Sequence, residues 1–286
     1  MSNVDIWWLG ISIVSVINIV LWLFSVRYFI RTHSKKEISF SNLRYWQIWL
    51  SGVYVFVCGY RSFFPRVDVQ RYVLYDSWFS NILLGRSCAT IAELCFAIQW
   101  AIIIYQFTKR SEDPFSRRMP FYVVGLILIA EICSWYAVIT TNFLGHVFEE
   151  SIWGLCTLLI IYSLKHLWPI FIREYPKILT ASLIGGLLYF AYLALIDVPM
   201  YYSRWITDQA NHVQYLSFWE GIRDLNHRWI VDHKWSDWKI ETVWMSLYFS
   251  FGVWFSIALI NAPGFKVLEK QINGETVLYS EKEEHL

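Results

Sequence analysis

The chain has 286 residues; 56 % are hydrophobic, 16 % are charged and the net charge is +1. Soluble domains carry about 25 % charged residues. A chain this apolar, with 17 Trp, 18 Tyr and 20 Phe, is neither disordered nor an ordinary soluble enzyme. The near-zero net charge also leaves no basic surplus for a nucleic acid.

Apolar runs, taken in chain order, predict seven membrane spans at about 6–26, 45–62, 84–108, 119–143, 150–172, 178–197 and 242–263. About 20 apolar residues cross the hydrocarbon as a helix. Helices are the expected form because no water there satisfies backbone groups. The second run is short and the fifth contains Lys165. Both reach full length only if Arg61 or Lys165 snorkels to an interface. Six spans, with the second run re-entrant or the fifth partly interfacial, is the alternative. Residues 1–265 thus read as one all-α, seven-helix membrane domain, and 266–286 as a polar cytoplasmic tail.

The positive-inside rule gives the direction. With the amino terminus outside, the inner segments carry 15 Lys and Arg and the outer ones 9. The outer basic residues lie in two long loops, which count for less. The reading is therefore amino terminus outside and carboxyl terminus cytoplasmic, in a bacterial inner membrane or a eukaryotic membrane. All five cysteines lie in or beside spans, so a disulfide-stapled ectodomain is excluded. The last span has no Lys for a retinal Schiff base, and the spans lack the several His of metal-dependent seven-helix hydrolases.

Polar residues concentrate in four places. In span three Arg86, Thr90, Glu93 and Ala97 recur at 4, 3 and 4, one helix face. Glu93, with Glu131 in span four, is expected to face the bundle interior, where a carboxyl is tolerable. At the start of span five His146, Glu149 and Glu150 stand at i, i+3 and i+4, which suits a divalent metal or, more plainly, a helix start. Between spans six and seven an amphipathic helix is predicted over His212–Trp229, an extracytoplasmic lid carrying His227, with His233 beyond it. Between spans two and three Arg61, Arg66 and Arg71 alternate with aromatics, as an anion-binding or interfacial segment would.

These clusters share the outer side. The reading is a polar extracytoplasmic site in a membrane-embedded enzyme acting on a lipid or other amphiphile. Its catalytic candidates are His146, Glu149, His227 and Glu93. Its substrate-binding candidates are Arg61, Arg66, Arg71 and Arg86, and its metal candidates are His146, Glu149, Glu150 and His233. Membrane lipids are the expected partners. A proton- or ion-coupled transporter using Glu93 and Glu131, and a non-catalytic sensor or accessory subunit, are the alternatives.

Overall fold

A computed structural model describes residues 2–32, 43–108, 113–171 and 176–260; the tail from 266 onward lies outside them. The protein is a bundle of long helices. Among the described residues six are long and apolar enough to cross a membrane: Asn3–Arg31, Ile82–Gln106, Pro114–Thr140, Leu144–Lys165, Leu179–Ala210 and Glu241–Ile260. They lie within α1 (Asn3–Thr32), α3 (Ile82–Thr108), α4 (Pro114–Thr140), α5 (Leu144–Phe171), the α6–α7 pair (Pro176–Tyr192, Val198–Ala210) and the α10–α11 pair (Glu241–Leu247, Val253–Ile260). A seventh helix, α2 (Leu43–Phe63), is less apolar and packs on α1, α3 and α11. Its polar residues turn inward: Gln47 and Gln99 exchange side-chain and backbone hydrogen bonds, and Ser256 donates to Gln99 Oε1 at 2.6 Å.

Local chemistry sets several boundaries. Asp113 caps α4 by accepting from the backbone of Phe115 and Ser116, with Pro114 in the first turn, where a missing N–H costs nothing. Thr141 closes α4 in the left-handed conformation, at φ 63°. At Gly145 a Cβ would stand 2.5 Å from the Cys133 carbonyl oxygen, so glycine is what lets α5 lie directly against α4. The five cysteines are free.

Two expectations are corrected. Span six does not stop at 197. Leu193–Asp197 forms a π turn and the helix runs on to Ala210. Asp197 reads as a boundary because it is charged, yet it is buried and accepts a hydrogen bond from Tyr192 at 3.1 Å. The helix predicted over His212–Trp229 is also shorter. It is α8, Phe218–His227, fixed at its start by a reciprocal Ser217–Glu220 capping box. Trp229 falls outside it and donates to Asp76 at 2.9 Å. Ile222 and Leu225 of α8 pack on Val138, Ile139 and Ile82, while Trp219 is exposed.

The intervening loops gather at one end of the bundle, here termed the sheet end. Two-residue strands β1 (Arg66–Val67) and β2 (Tyr72–Val73) form a hairpin, and β3 (Ile230–Val231) pairs parallel to β2. His233 lies 3.2 Å from Asp5, and the Leu216 amide donates to Thr140. The amino terminus, the 64–81 loop and the 211–240 segment therefore meet there. A last π turn, Tyr248–Gly252, joins α10 to α11.

Candidate functional site

The bundle encloses a cavity of about 780 Å³. Its polar lining comes from the sheet end of each helix: Arg86 and Glu93 of α3, His146 and Glu149 of α5, Asp197 of the first π turn and Glu241 of α10. Further along the same helices the lining turns apolar, through Phe96, Trp100, Ile127, Cys156, Ile160 and Phe255. From Arg86 to Trp100 the helical rise alone covers about 20 Å. The cavity is thus a long amphiphilic trough, charged at one end and greasy at the other. Both π turns lie on its wall, through Leu193, Asp197, Tyr248, Phe251 and Gly252.

The trough is thinly walled on one side. Ile184 and Leu188 of α6 line it and are 53 % and 67 % exposed; Leu247 and Phe251 opposite are 39 % and 54 % exposed. Apolar residues that are both lining and exposed mark a thin wall between α6 and α10–α11, where Phe255 of α11 reaches Gly185 of α6. In a bundle whose outer surface is hydrocarbon-facing, such a wall borders lipid.

The charged end is organised around Arg86. This guanidinium is 5 % exposed. Its Nη2 donates to Glu131 Oε2 at 2.7 Å and lies 3.5 Å from Glu93 and 3.7 Å from Glu149. Thr90 adds a 2.6 Å bond to the same Glu131 oxygen, and Trp135 in turn donates to Thr90. Carboxylate oxygens of Glu93, Glu131 and Glu149 come within 4.8 Å of one another, a spacing a cation can bridge. Here the bridging charge is the guanidinium itself, and a divalent ion in the same place would face it as a like charge. Three carboxyls share one guanidinium, so neutrality needs further positive charge, as bound protons or a cation.

Glu149 also faces His146, whose Nδ1 lies 2.5 Å from Oε2. A carboxylate accepting from Nδ1–H fixes the tautomer and leaves the other ring nitrogen its lone pair. His146 lines the cavity, and Tyr201 covers its face at 4.8 Å between centroids. The pair holds the imidazole in one orientation at the cavity wall.

The remaining predicted residues scatter. Glu150 lines the cavity beside Glu149. His227 is exposed at the end of α8, and His233 pairs with Asp5 at the surface; neither lines the cavity. The expected juxtaposition of His227 or His233 with His146 is therefore corrected: α8 spends its apolar face on α3 and α4 and does not fold over the trough. Arg71 is structural. It donates to Asp224 at 2.8 Å, to the Val138 carbonyl at 2.9 Å and to the Asp68 carbonyl, tying the hairpin to α8 and α4. Burial pushes its pKa down, and Asp224 opposes that. Arg66 lines the cavity but lies across Gly85 and donates to the carbonyls of Phe64, Phe79 and Asn81. Arg61 differs from all of these. It is 4 % exposed, lines the cavity and sits 5.7–5.9 Å from the ring centroids of Trp244, Tyr248 and Phe249.

Sequence reasoning missed Asp197, Tyr201 and Arg204, which all line the cavity. Their i, i+4, i+7 spacing is one helix face, legible only if the helix is carried past Asp197. Arg204 pairs with Glu241 at 2.7 Å, joining α7 to α10 across the 211–240 segment. Comparison with protein-family models, with curated proteins and with solved structures gave no match, so the site rests on its own geometry.

Proposed function

We propose that the protein is a membrane-embedded enzyme acting on a lipid or similar amphiphile, with His146 as general base. The observation that carries this is the trough: an oriented His146–Glu149 pair at the charged end of an apolar channel thinly walled between α6 and α10–α11. A substrate would slide in from the bilayer, lay its chain along Phe96, Trp100 and Ile160, and present its head to His146. His146 then takes a proton from water or a substrate hydroxyl, and Glu149 stabilises the imidazolium. Arg86 and Glu93 shape the field around that step. No step is assigned to His227 or to a metal.

In this reading α2 is the seventh span. Its 21 residues rise about 31 Å, enough for the hydrocarbon, and its polar face is spent on α3 and α11. The Lys and Arg bias then puts the sheet end outside and the tail in the cytoplasm. The test is turnover. Protein in nanodiscs of phosphatidylethanolamine, phosphatidylglycerol and a polyprenyl phosphate is incubated, and the lipids are followed by mass spectrometry. We expect a time-dependent product whose rate falls about 10²–10⁴-fold in His146→Ala. Turnover unchanged by His146→Ala overturns the assignment.

The Arg86 cluster supports a second reading, proton-coupled transport through Glu93 and Glu131. It predicts proton flux into proteoliposomes that stops in Glu93→Gln; flux that survives this change removes it.

A further inference from the structure

We propose that Arg61 is the anion hook of the cavity, so that the amphiphile it takes carries a phosphate or carboxylate head. This rests on the reading of the trough as an amphiphile site and names the chemistry of the head. Elimination among the guanidinium groups that line the cavity or border it at the sheet end leads to Arg61. Arg66 is held by backbone carbonyls, Arg71 by Asp224, Arg204 by Glu241 and Arg86 by Glu131, with Arg86 Nε left over. Arg61 is as buried as Arg86, yet among the described residues it has neither an ion pair nor a hydrogen bond. The three rings around it attract the charge through their faces. They do not accept in the plane of the guanidinium, where its five N–H donors point.

That fork is the geometry that takes an oxyanion bidentately. Arg61 is in the last turn of α2, at the sheet end, the same end as His146. Trp244 and Tyr248 line the cavity beside it, so an anion there would have an apolar wall for the first carbons of its chain. An oxyanion on Arg61 would give this guanidinium the hydrogen-bonding partner that it does not find among the described residues.

The experiment measures binding to the full chain in phosphatidylcholine nanodiscs. The probes are dodecyl phosphate, neutral monolauroylglycerol and soluble glycerol phosphate. We expect the wild type to bind dodecyl phosphate about tenfold or more tightly than monolauroylglycerol. Arg61→Gln should erase that preference and leave monolauroylglycerol affinity within about twofold. Arg61→Lys, which keeps the charge and loses the fork, should retain only part of it and serves as the folded control if Arg61→Gln is unstable. Glycerol phosphate should bind far more weakly, which places the anion on a lipid. If it binds as tightly as dodecyl phosphate and loses binding in Arg61→Gln, the anion is a soluble one: Arg61 stands and the amphiphile reading falls. Equal affinity for the charged and neutral chains, or a preference that survives Arg61→Gln, overturns the role of Arg61 and leaves the trough intact. Failure of the wild type to bind any of the three probes overturns both.

Discussion

Two walls of one cavity treat a buried arginine in opposite ways. On the α3–α4–α5 wall Arg86 is surrounded by three carboxyls, one of them at 2.7 Å. On the α2–α10 wall Arg61 is surrounded by rings. Burying an ion is costly unless it is paired; the first guanidinium has carboxyls in excess, with Arg86 Nε and Glu131 Oε1 still without partners, and the second has no carboxylate beside it. The first ties α3, α4 and α5 together, and the second is the group to which the proposed anion is assigned.

That contrast can be broken by mutation. The largest effect is expected from Arg86→Met. It strands Glu93, Glu131 and Glu149 without their shared cation and should cost about 3–5 kcal/mol, read by thermal or denaturant unfolding in detergent. A loss near zero would mean that the cluster does not hold the helices together. Next is Gly145→Ala, whose new Cβ would meet the Cys133 carbonyl at 2.5 Å. Moving α5 off α4 should destabilise by about 1–3 kcal/mol and separate Glu149 from Glu131 without touching Arg61. A crystal or cryo-EM structure of the variant with the Arg86 cluster undisturbed would contradict that linkage. Arg61→Gln should leave unliganded stability unchanged or slightly raised, because losing the attraction of the rings is offset by relief of an unpaired buried charge. A clear drop in melting temperature would make the ring cage structural and collapse the distinction between the walls.

The smallest effect lies outside both walls, in the cap of α8. Hydrogen bonds from the Ser217 hydroxyl and amide hold the exposed Glu220 carboxyl below its ordinary pKa. A depressed folded pKa means that the cap contributes above the unfolded value and is lost as pH falls through the folded one. Amide exchange in α8 should therefore rise on acidification in the wild type. In Glu220→Gln it should be already raised at neutral pH and lose that acid-dependent step. Equal exchange in the two proteins at neutral pH would show that the cap contributes nothing.

Much of this was legible from residues alone. The long apolar runs determined the helices, because a chain in hydrocarbon must satisfy its own backbone. The 4, 3, 4 spacing of Arg86, Thr90, Glu93 and Ala97 determined a shared face. Arg86, Glu93 and Ala97 do line the cavity, and Thr90 does reach Glu131. The His146, Glu149 and Glu150 spacing likewise placed three polar groups on one side of α5, and all three line the cavity. Only the tertiary structure decided which arginine is free. Arg61, Arg66 and Arg71 look alike in sequence, and what separates them is whether a carbonyl or carboxylate from a distant element arrives beside each. It also decided that α6 continues past Asp197 and that His227 stays outside. Helix spacing is a property of neighbours along the chain, whereas satisfying a buried charge depends on partners from elsewhere in it: Asp224 lies 153 residues from Arg71, and Glu131 lies 45 from Arg86.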